Sequence, residues 1–247
     1  MNLILLEPDE ATHLDRVIVT GARATHLRTV LGVAPGDVVR IGVIDGPCGE
    51  GTVLAMDATT VHLRCALQPE APATPNVDLL LALPRPKVLR RLWAQLAAMG
   101  VGRIRLTNAA RVERNYFDTH LLQADVYRPL LVEGLQQARD TRLPLVTVHR
   151  QLKVFLEDEL ELHTDEVRAY GDPNAGPSIH AAVRARNAHR VLLAVGPEGG
   201  WTDYERELLA RHGFEAVTMG PRTLRSDTAC VSLLALTHDA LRSRQDD

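Results

Sequence analysis

The most informative segment of the chain is Arg190-Val-Leu-Leu-Ala-Val-Gly-Pro-Glu-Gly-Gly200, and a similar segment follows it, Phe214-Glu-Ala-Val-Thr-Met-Gly-Pro-Arg-Thr-Leu-Arg-Ser-Asp-Thr-Ala229. Each segment begins with a short apolar run that ends at a turn with glycine and proline, which is typical of a buried strand in a parallel sheet. The glycines of these turns allow backbone amides to approach a ligand closely. Because ligands of open α/β sheets bind outside the carboxyl ends of the strands, the two loops together predict one ligand crevice.

A helix is predicted after each of the two turns. The first helix begins at Asp203, with Thr202 or Asp203 as its cap. The second begins with a cap at Ser226 or Asp227 and continues through Leu236. The strand, the turn and the helix therefore occur twice in succession at this end of the chain.

The region upstream of these segments, from residue 77, also alternates apolar runs with helical patterns. Strands are predicted at Val77–Ala82, Arg103–Leu106, Leu145–Val148 and Val167–Tyr170. Helices are predicted at Lys87–Met99 and from about Leu121 to Arg139. This alternation predicts an α/β domain with a mostly parallel sheet.

The amino-terminal part of the chain has a different pattern. Three prolines between Gln68 and Asn76 exclude a continuous helix or a central strand, so a linker is predicted at 69–76. Alternating stretches before it indicate a small β-barrel with one helix at Ala22–Leu31; they are Asp37–Val43, Gly51–Ala55 and Thr60–Cys65. The predicted domains are therefore 1–68, the linker, and 77–247.

The composition fits a globular protein of one or two domains. The chain has 247 residues, of which 45% are hydrophobic and 24% charged. No apolar stretch reaches the roughly 20 residues of a membrane helix, and the amino terminus has no basic leader, so we expect a cytoplasmic protein without a membrane partner. The three cysteines and ten histidines have no metal-ligand spacing, and no metal site is expected.

Positive charge is concentrated in one window. From Pro84 to Arg114 eight basic residues face a single acidic residue, Glu113, although the whole chain has a net charge of -3. Seven of the eight are arginines, whose planar guanidinium suits phosphate, so this window predicts contact with nucleic acid. The alternative is an ordinary solvated surface.

The two carboxyl-terminal motifs carry a family resemblance. Gly196-Pro-Glu-Gly-Gly200 and Met219-Gly-Pro-Arg-Thr-Leu-Arg-Ser-Asp-Thr-Ala229 resemble the signature of the ribosomal RNA small subunit methyltransferase E family, within the SPOUT superfamily. The resemblance implies a trefoil-knotted domain that binds S-adenosylmethionine, forms a homodimer and methylates N3 of a uridine in 16S ribosomal RNA. It also implies that the amino-terminal domain is a PUA-like, RNA-binding barrel.

The resemblance implies site residues as well. The residues expected to bind the cofactor, largely through main-chain groups, are Val195, Gly196, Glu198, Gly199, Gly200, Met219, Gly220, Leu224, Arg225, Ser226 and Thr228. From the basic window, and from the amino-terminal domain that the resemblance makes RNA-binding, the residues expected to contact RNA are Arg23, Arg28, Arg85, Lys87, Arg90, Arg91, Arg111 and Arg114. The small subunit or its RNA is thus the expected partner.

Arg225 and Glu198 are the candidate catalytic residues. Uracil N3 becomes nucleophilic only when its proton leaves, so the site needs a base or cations that stabilise the anion. Arg225, with Arg222 as a second candidate, suits the cationic role, and Glu198 could accept a proton or orient the cofactor. Alternatively, Arg225 is a structural partner of Asp227, and Glu198 only bonds its own turn. Ser226 and Thr228 could equally be helix caps.

Two departures from the family pattern leave the target open. The chain has Ala98-Met-Gly100 where relatives usually have Glu-Leu-Gly, and Gln136-Gln-Ala-Arg-Asp140 where they usually have Glu-Gln-(Ser or Cys)-Gly-Arg. A methyltransferase for another RNA position is therefore one alternative, and a non-catalytic RNA-binding protein is another. A phosphate-binding enzyme is disfavoured because the glycine loop lacks Gly-Lys-(Ser or Thr).

Overall fold

The computed structural model describes residues 3–160 and 166–243, so the outer bounds of the predicted domains, at 1 and 247, lie outside the described part. The chain divides into two compact units. The first consists of Met1–Thr74 with Leu131–Leu143, and the second of Pro75–Leu130 with Pro144–Asp247. The predicted division assigns residues 131–143 to the second domain, whereas here they belong to the first unit.

The first unit is built on a five-stranded sheet within the described residues. Its strands and helix are β1 Ile4–Leu6, β2 Val17–Val19, α1 Gly21–Thr29, β3 Val38–Val43, β4 Cys48–Met56 and β5 Val61–Leu67. The spatial order is β1-β3-β4-β5-β2, with β1 parallel to β3 and the other pairs antiparallel. Apolar side chains of all five strands and of α1 form one buried cluster, which includes Leu27, Ile41 and Leu63.

Residues 131–143 join this unit through specific contacts. Thr141 is fully buried, its hydroxyl donates to the Gly46 carbonyl over 2.6 Å, and its own carbonyl accepts from the Asp45 amide over 2.8 Å. Arg142 Nε donates to the Pro72 carbonyl over 2.6 Å. A helical pattern does not identify the surface on which the helix ends, so these contacts could not be predicted from it.

The second unit contains a parallel sheet of six strands within the described residues. These are β6 Val77–Ala82, β7 Val101–Thr107, β8 Leu145–His149, β9 Glu166–Gly171, β10 Arg190–Val195 and β11 Phe214–Val217. The spatial order is β11-β9-β10-β6-β7-β8, and all five pairings are parallel. The predicted α/β fold with a mostly parallel sheet is confirmed.

Six helices lie between or after these strands in the described chain. They are α2 Pro86–Ala98, α3 Ala124–Ala138, the short α4 Leu152–Val154 with a π-helical turn at Phe155–Glu159, α5 Ile179–Arg186, α6 Asp203–Arg211 and α7 Ser226–Ser243. Of these, α3 continues beyond Leu130 into the first unit. The apolar face of α2 is buried as its periodicity predicts, with Leu89, Leu92 and Leu96 fully enclosed. The long helix is predicted to start at about Leu121, but α3 begins at Ala124. Leu121 lies in a short 3-10 turn, His120–Leu122, which follows another at Arg114–Asp118.

The caps of α6 and α7 decide where the two carboxyl-terminal loops end. Thr202 caps α6 in a reciprocal capping box with Glu205, as predicted. The first backbone hydrogen bond of α7 runs from Ala229 N to Arg225 O over 2.8 Å, which places Arg225 at the cap position. The prediction that Ser226 or Asp227 caps this helix is therefore wrong, because both lie inside its first turn.

Candidate active site

One crevice lies at the carboxyl ends of three neighbouring strands, β9, β10 and β11. Its walls are the segment after β9 (Gly171, Asp172, Pro173), the loop after β10 (Gly196 to Trp201) and the loop after β11 (Met219 to Leu224). The first turns of α7 close it through Ser226, Ala229 and Leu233. The two loops that the sequence singled out thus enclose a single crevice, at the edge where open α/β sheets bind ligands.

Two glycines are required for the width of this crevice. A Cβ on Gly196 would lie 3.0 Å from Nε1 of Trp201, and one on Gly171 would lie 2.6 Å from Cδ1 of Leu233. Trp201 is 3% exposed and Leu233 2% exposed, so neither side chain can move away without displacing the core. Only glycine leaves room for a ligand beside these two walls.

The loop after β11 has main-chain donors at residues that line the crevice. Gly220 has a φ of 108°, and its amide donates to the Thr218 hydroxyl over 3.0 Å, which fixes the turn. Among the described residues, the backbone amides of Met219 and Leu224 have no acceptor. Polar groups at a protein surface that lack an internal partner are available to water or to a ligand.

The remaining lining is mostly apolar. Val195, Val217, Leu224 and Leu233 contribute aliphatic surface, and Trp201 contributes an indole whose Nε1 has no hydrogen-bond partner in the described chain. An apolar slot edged by a few convergent donors is the usual form of a small-molecule site. A planar heteroaromatic ring with acceptor nitrogens fits this combination.

Most of the predicted cofactor residues line the crevice. Eight of them do so: Val195, Gly196, Glu198, Gly200, Met219, Gly220, Leu224 and Ser226. Gly199, Arg225 and Thr228 are not among the lining residues. The sequence prediction missed the lining residues Gly171, Asp172, Pro173, Pro197, Trp201, Val217, Thr223, Ala229 and Leu233. The first three directly follow a predicted strand, so the rule that placed the other two loops could have found them.

The alternative in which Arg225 pairs with Asp227 is not what the structure has. Asp227 forms an ion pair with Arg91, whose Nη2 lies 2.7 Å from Asp227 Oδ2, rather than with Arg225. Among the described residues, neither Arg225 nor Arg222 has an ion-pair partner, and both are exposed. Arg222 lines the crevice, whereas Arg225 stands at the cap of α7 beside it.

Glu198 bonds to a residue outside its own turn. Its Oε2 lies 2.8 Å from Nε of Arg85, the residue that precedes α2. Glu198 raises the pKa of Arg85, chiefly through its negative charge. The ion pair connects the glycine loop to the end of β6 and leaves the carboxylate in the wall of the crevice.

The predicted RNA-contacting residues of the first unit take part in internal contacts. Arg23 donates to both oxygens of Glu10 and, over 2.8 Å, to the Leu5 carbonyl. This hydrogen-bonded pairing lowers the pKa of Glu10 and raises that of Arg23. Arg28 donates to the Ala58 carbonyl. Their predicted contact with RNA stays a prediction.

The basic window of the second unit is only partly a surface. Arg105 is 9% exposed, and its Nη1 lies 3.2 Å from Oδ2 of the buried Asp78. The number of basic residues in the window therefore overstates its exposed positive charge. Arg85 and Arg91 pair with acids, and Arg111 donates to the Gly199 carbonyl. Lys87, Arg90 and Arg114 are exposed and have no ion-pair partner in the described ranges.

The described residues contain neither a candidate metal site nor a helix that could span a membrane. Within residues 3–160 and 166–243, no group of three or more His, Cys, Asp or Glu side chains is arranged to hold a metal ion. Over the same ranges, no helix has the length and apolar character needed to span a bilayer.

Comparison with known proteins identifies the class. A family described as "RNA methyltransferase domain" matches residues 70–238, which is more than half of the chain. The match covers the parallel sheet and both loops of the crevice. The fold and the site thus define an RNA methyltransferase domain.

Full-length relatives give the family. Ribosomal RNA small subunit methyltransferase E of Treponema pallidum is 32% identical over 247 residues, covering 96% of this chain and 92% of that one. Ribosomal RNA small subunit methyltransferase E 1 of Borreliella burgdorferi is 23% identical and covers 98% and 99%. The crystal structure of the Neisseria gonorrhoeae enzyme of the same name, bound to S-adenosyl methionine, has the same fold with a TM-score of 0.78 at 18% identity, covering 97% of each chain. The chain belongs to the ribosomal RNA small subunit methyltransferase E family, as predicted.

Proposed function

We propose that this protein is an S-adenosylmethionine-dependent methyltransferase that acts in the cytoplasm on N3 of a uridine in small-subunit ribosomal RNA. The observation that carries the proposal is the crevice formed by the loops after β9, β10 and β11, whose lining combines aliphatic surface with main-chain amides that have no acceptor in the part of the chain that the structure describes. The name of the Treponema pallidum relative and the cofactor bound in the Neisseria gonorrhoeae structure support the same assignment.

The crevice residues divide the binding of this cofactor among them. The amides of Met219 and Leu224, which have no acceptor among the described residues, would donate to the adenine nitrogens, and the aliphatic lining that includes Leu233 would hold the ring. The indole N–H of Trp201 and the carboxylate of Asp172 are within the same lining and serve the polar parts of the molecule. When bound, the cofactor supplies a methyl group on a positively charged sulfur. The crevice walls exclude water from it.

The acceptor nitrogen requires help from charged side chains. Uracil N3 carries a proton at neutral pH, and the negative charge that develops on its loss needs nearby cations. Arg222 lines the crevice and Arg225 stands beside it, and neither is neutralised by a described acid. We assign the stabilisation of that charge to these two arginines. Glu198 is the acidic group of the wall and the candidate acceptor of the proton.

RNA contact is proposed for exposed cations of the second unit and, separately, for the first unit. Lys87, Arg90 and Arg114 are exposed cations without described partners, and they suit phosphate groups. The first unit, with its five-stranded sheet, is proposed to be the PUA-like RNA-binding barrel that the family resemblance implies. Binding through these cations would weaken steeply as the salt concentration rises.

Two features of architecture belong to the same proposal. The loops after β10 and β11 are proposed to form a trefoil knot, and the protein is proposed to act as a homodimer, the commonest symmetric assembly of soluble proteins. Family membership and the resemblance of the two motifs support both statements. Light scattering at micromolar concentration gives the mass of a dimer if the second statement is right, and that of a monomer if it is wrong.

The function is tested by methyl transfer to matched RNAs. Purified protein is titrated with S-adenosylmethionine by calorimetry and then incubated with labelled cofactor and unmodified small-subunit or large-subunit ribosomal RNA, each also as assembled particles. We expect saturable cofactor binding and label only in the small-subunit samples. Label in another RNA would point to a different target. RNA binding without cofactor binding or label would favour a non-catalytic RNA-binding protein.

A further inference from the structure

A second cavity adjoins the crevice at the glycine loop. Its volume is about 180 Å³, far more than the roughly 10–15 Å³ that one water molecule needs. It is formed by Leu83 and Pro84 after β6, by the segment after β7, and by Pro197 to Gly199 of the loop after β10. Pro197 and Glu198 line both cavities, so the two adjoin at this loop.

The topology of the sheet gives this cavity a special position. The chain leaves β6 toward β7 on one side, and it leaves β10 toward β9 and β11 on the other, although β6 and β10 are direct neighbours. The connections therefore diverge between these two strands. The carboxyl ends at such a reversal of strand order are the place where doubly wound α/β sheets bind their substrates.

Two arginines supply hydrogen-bond donors to the cavity. Arg85 uses its Nε for Glu198, and Arg111 uses one Nη for the Gly199 carbonyl. A guanidinium has five N–H donors, so both side chains retain donors for a carbonyl or phosphate oxygen. A Cβ on Gly199 would lie 2.9 Å from Cδ of Arg111, so the glycine is what allows this arginine to lie against the loop.

An aromatic ring completes the lining. Tyr116 lies in the 3-10 turn Arg114–Asp118, and its hydroxyl donates to Oε1 of Glu113 over 2.9 Å. Both residues line the cavity. A ring held by its own hydroxyl can stack on a nucleobase, and such stacking contributes about 1–3 kcal/mol per base.

We propose that this second cavity receives the acceptor nucleotide, a pyrimidine turned out of the RNA, next to the cofactor crevice. The base stacks on Tyr116, Arg85 and Arg111 bind its phosphate, and its N3 edge faces the cofactor crevice beside Glu198. Extrusion of the nucleotide is needed because N3 of a paired uridine is blocked by its Watson–Crick partner. The inference rests on the proposed function, and it adds the site and the residues that take the acceptor.

The test combines photo-crosslinking with kinetics. Small-subunit ribosomal RNA transcribed with 4-thiouridine is irradiated with the protein, and the crosslinked peptides are mapped by mass spectrometry. Methyl transfer and cofactor affinity are measured for Tyr116→Ala, Tyr116→Phe and Arg111→Ala. Tyr204→Ala is the matched control, since Tyr204 is 55% exposed on α6 and lines neither cavity.

We expect crosslinks to the segment from Arg111 to Tyr116. The loss of stacking in Tyr116→Ala should raise the KM for RNA about 5- to 100-fold. Tyr116→Phe, which keeps the ring and loses only the hydroxyl bond to Glu113, should raise the KM for RNA far less than Tyr116→Ala, and all three variants should bind S-adenosylmethionine with unchanged affinity. Wild-type KM in Tyr116→Ala together with crosslinks only elsewhere would overturn the inference. Loss of cofactor binding and turnover in the unmodified protein would instead contradict the proposed function, and the crosslinks would still report on the cavity.

Discussion

Nε of Arg85 and Oε2 of Glu198 lie 2.8 Å apart, so the loop after β10 is tied to the segment between β6 and α2. The two side chains are 62% and 37% exposed, and exposed ion pairs contribute only about 0–1 kcal/mol to stability. The pair is therefore better explained by the position it gives Glu198, in the wall common to two cavities, than by its contribution to stability.

Replacing Glu198 by glutamine should impair catalysis far more than folding. If Glu198 accepts the uracil proton, Glu198→Gln lowers kcat about 10²-fold or more and changes the free energy of unfolding by less than about 1 kcal/mol. Single-turnover methyl transfer and urea unfolding measure the two effects. Glu207→Gln, an exposed acid of α6, is the control. Equal rates in both variants would remove Glu198 from the chemistry.

The two arginines of the β11 loop should act on the transition state rather than on cofactor binding. Arg222→Ala and Arg225→Ala are each expected to lower kcat about 10²-fold, as loss of a group that stabilises developing negative charge does. Cofactor affinity should change little, because main-chain donors hold the adenine. Arg211→Ala, on the exposed surface of α6, serves as the control. A variant that loses cofactor affinity and keeps kcat would show that its arginine binds the cofactor instead.

Gly196→Ala should reduce cofactor affinity. The added methyl group would lie 3.0 Å from Nε1 of the buried Trp201 and would have to be accommodated at the expense of the crevice. If the overpacking cost of about 1–3 kcal/mol falls on the bound state, Kd rises about 5- to 150-fold. Calorimetric titration with S-adenosylmethionine measures the loss. Gly176→Ala is a matched control because a Cβ there meets nothing within 4 Å. Unchanged affinity in Gly196→Ala would place the ligand elsewhere.

The Glu10–Arg23 pair predicts a pH dependence of stability. Hydrogen bonds from Arg23 lower the pKa of Glu10 in the folded state, so the pair stabilises the fold above the unfolded-state pKa and loses its effect as the pH falls through the lowered one. Glu10→Gln should therefore cost about 1 kcal/mol of unfolding free energy at neutral pH, and the difference from the wild type should shrink below about pH 5. Urea unfolding across this range measures it, with Glu70→Gln as an exposed control. A difference that grows on acidification would contradict the assignment.

Sequence patterns predicted the second unit well because its strands are continuous apolar runs. Val77–Ala82 and Arg190–Val195 were predicted with their observed bounds. The two strands of the first unit that no pattern indicated, β1 and β2, have three residues each, too few for a period to be recognised. Strand order and the transfer of residues 131–143 to the first unit arise from packing between distant segments, which local patterns do not encode.

The candidate site shows the same division between local and distant information. The loops after β10 and β11 were predicted because each is a contiguous motif. Leu233 was missed because its part in the crevice depends on Gly171, in a distant part of the chain, whereas Trp201 directly follows the glycine motif and the local rule could have found it. The pairing of Asp227 with Arg91, 136 positions away, likewise could not be derived from the charges of the local motif.

Nucleoside mass spectrometry shows directly whether this crevice serves methyl transfer to uridine N3. Unmodified small-subunit ribosomal RNA and particles are incubated with S-adenosylmethionine and either the intact protein or Arg225→Ala, then digested and analysed. We expect new 3-methyluridine with the intact protein and strongly reduced amounts with the Arg225→Ala variant. A different methylated nucleoside, or none while the cofactor is bound, would contradict it.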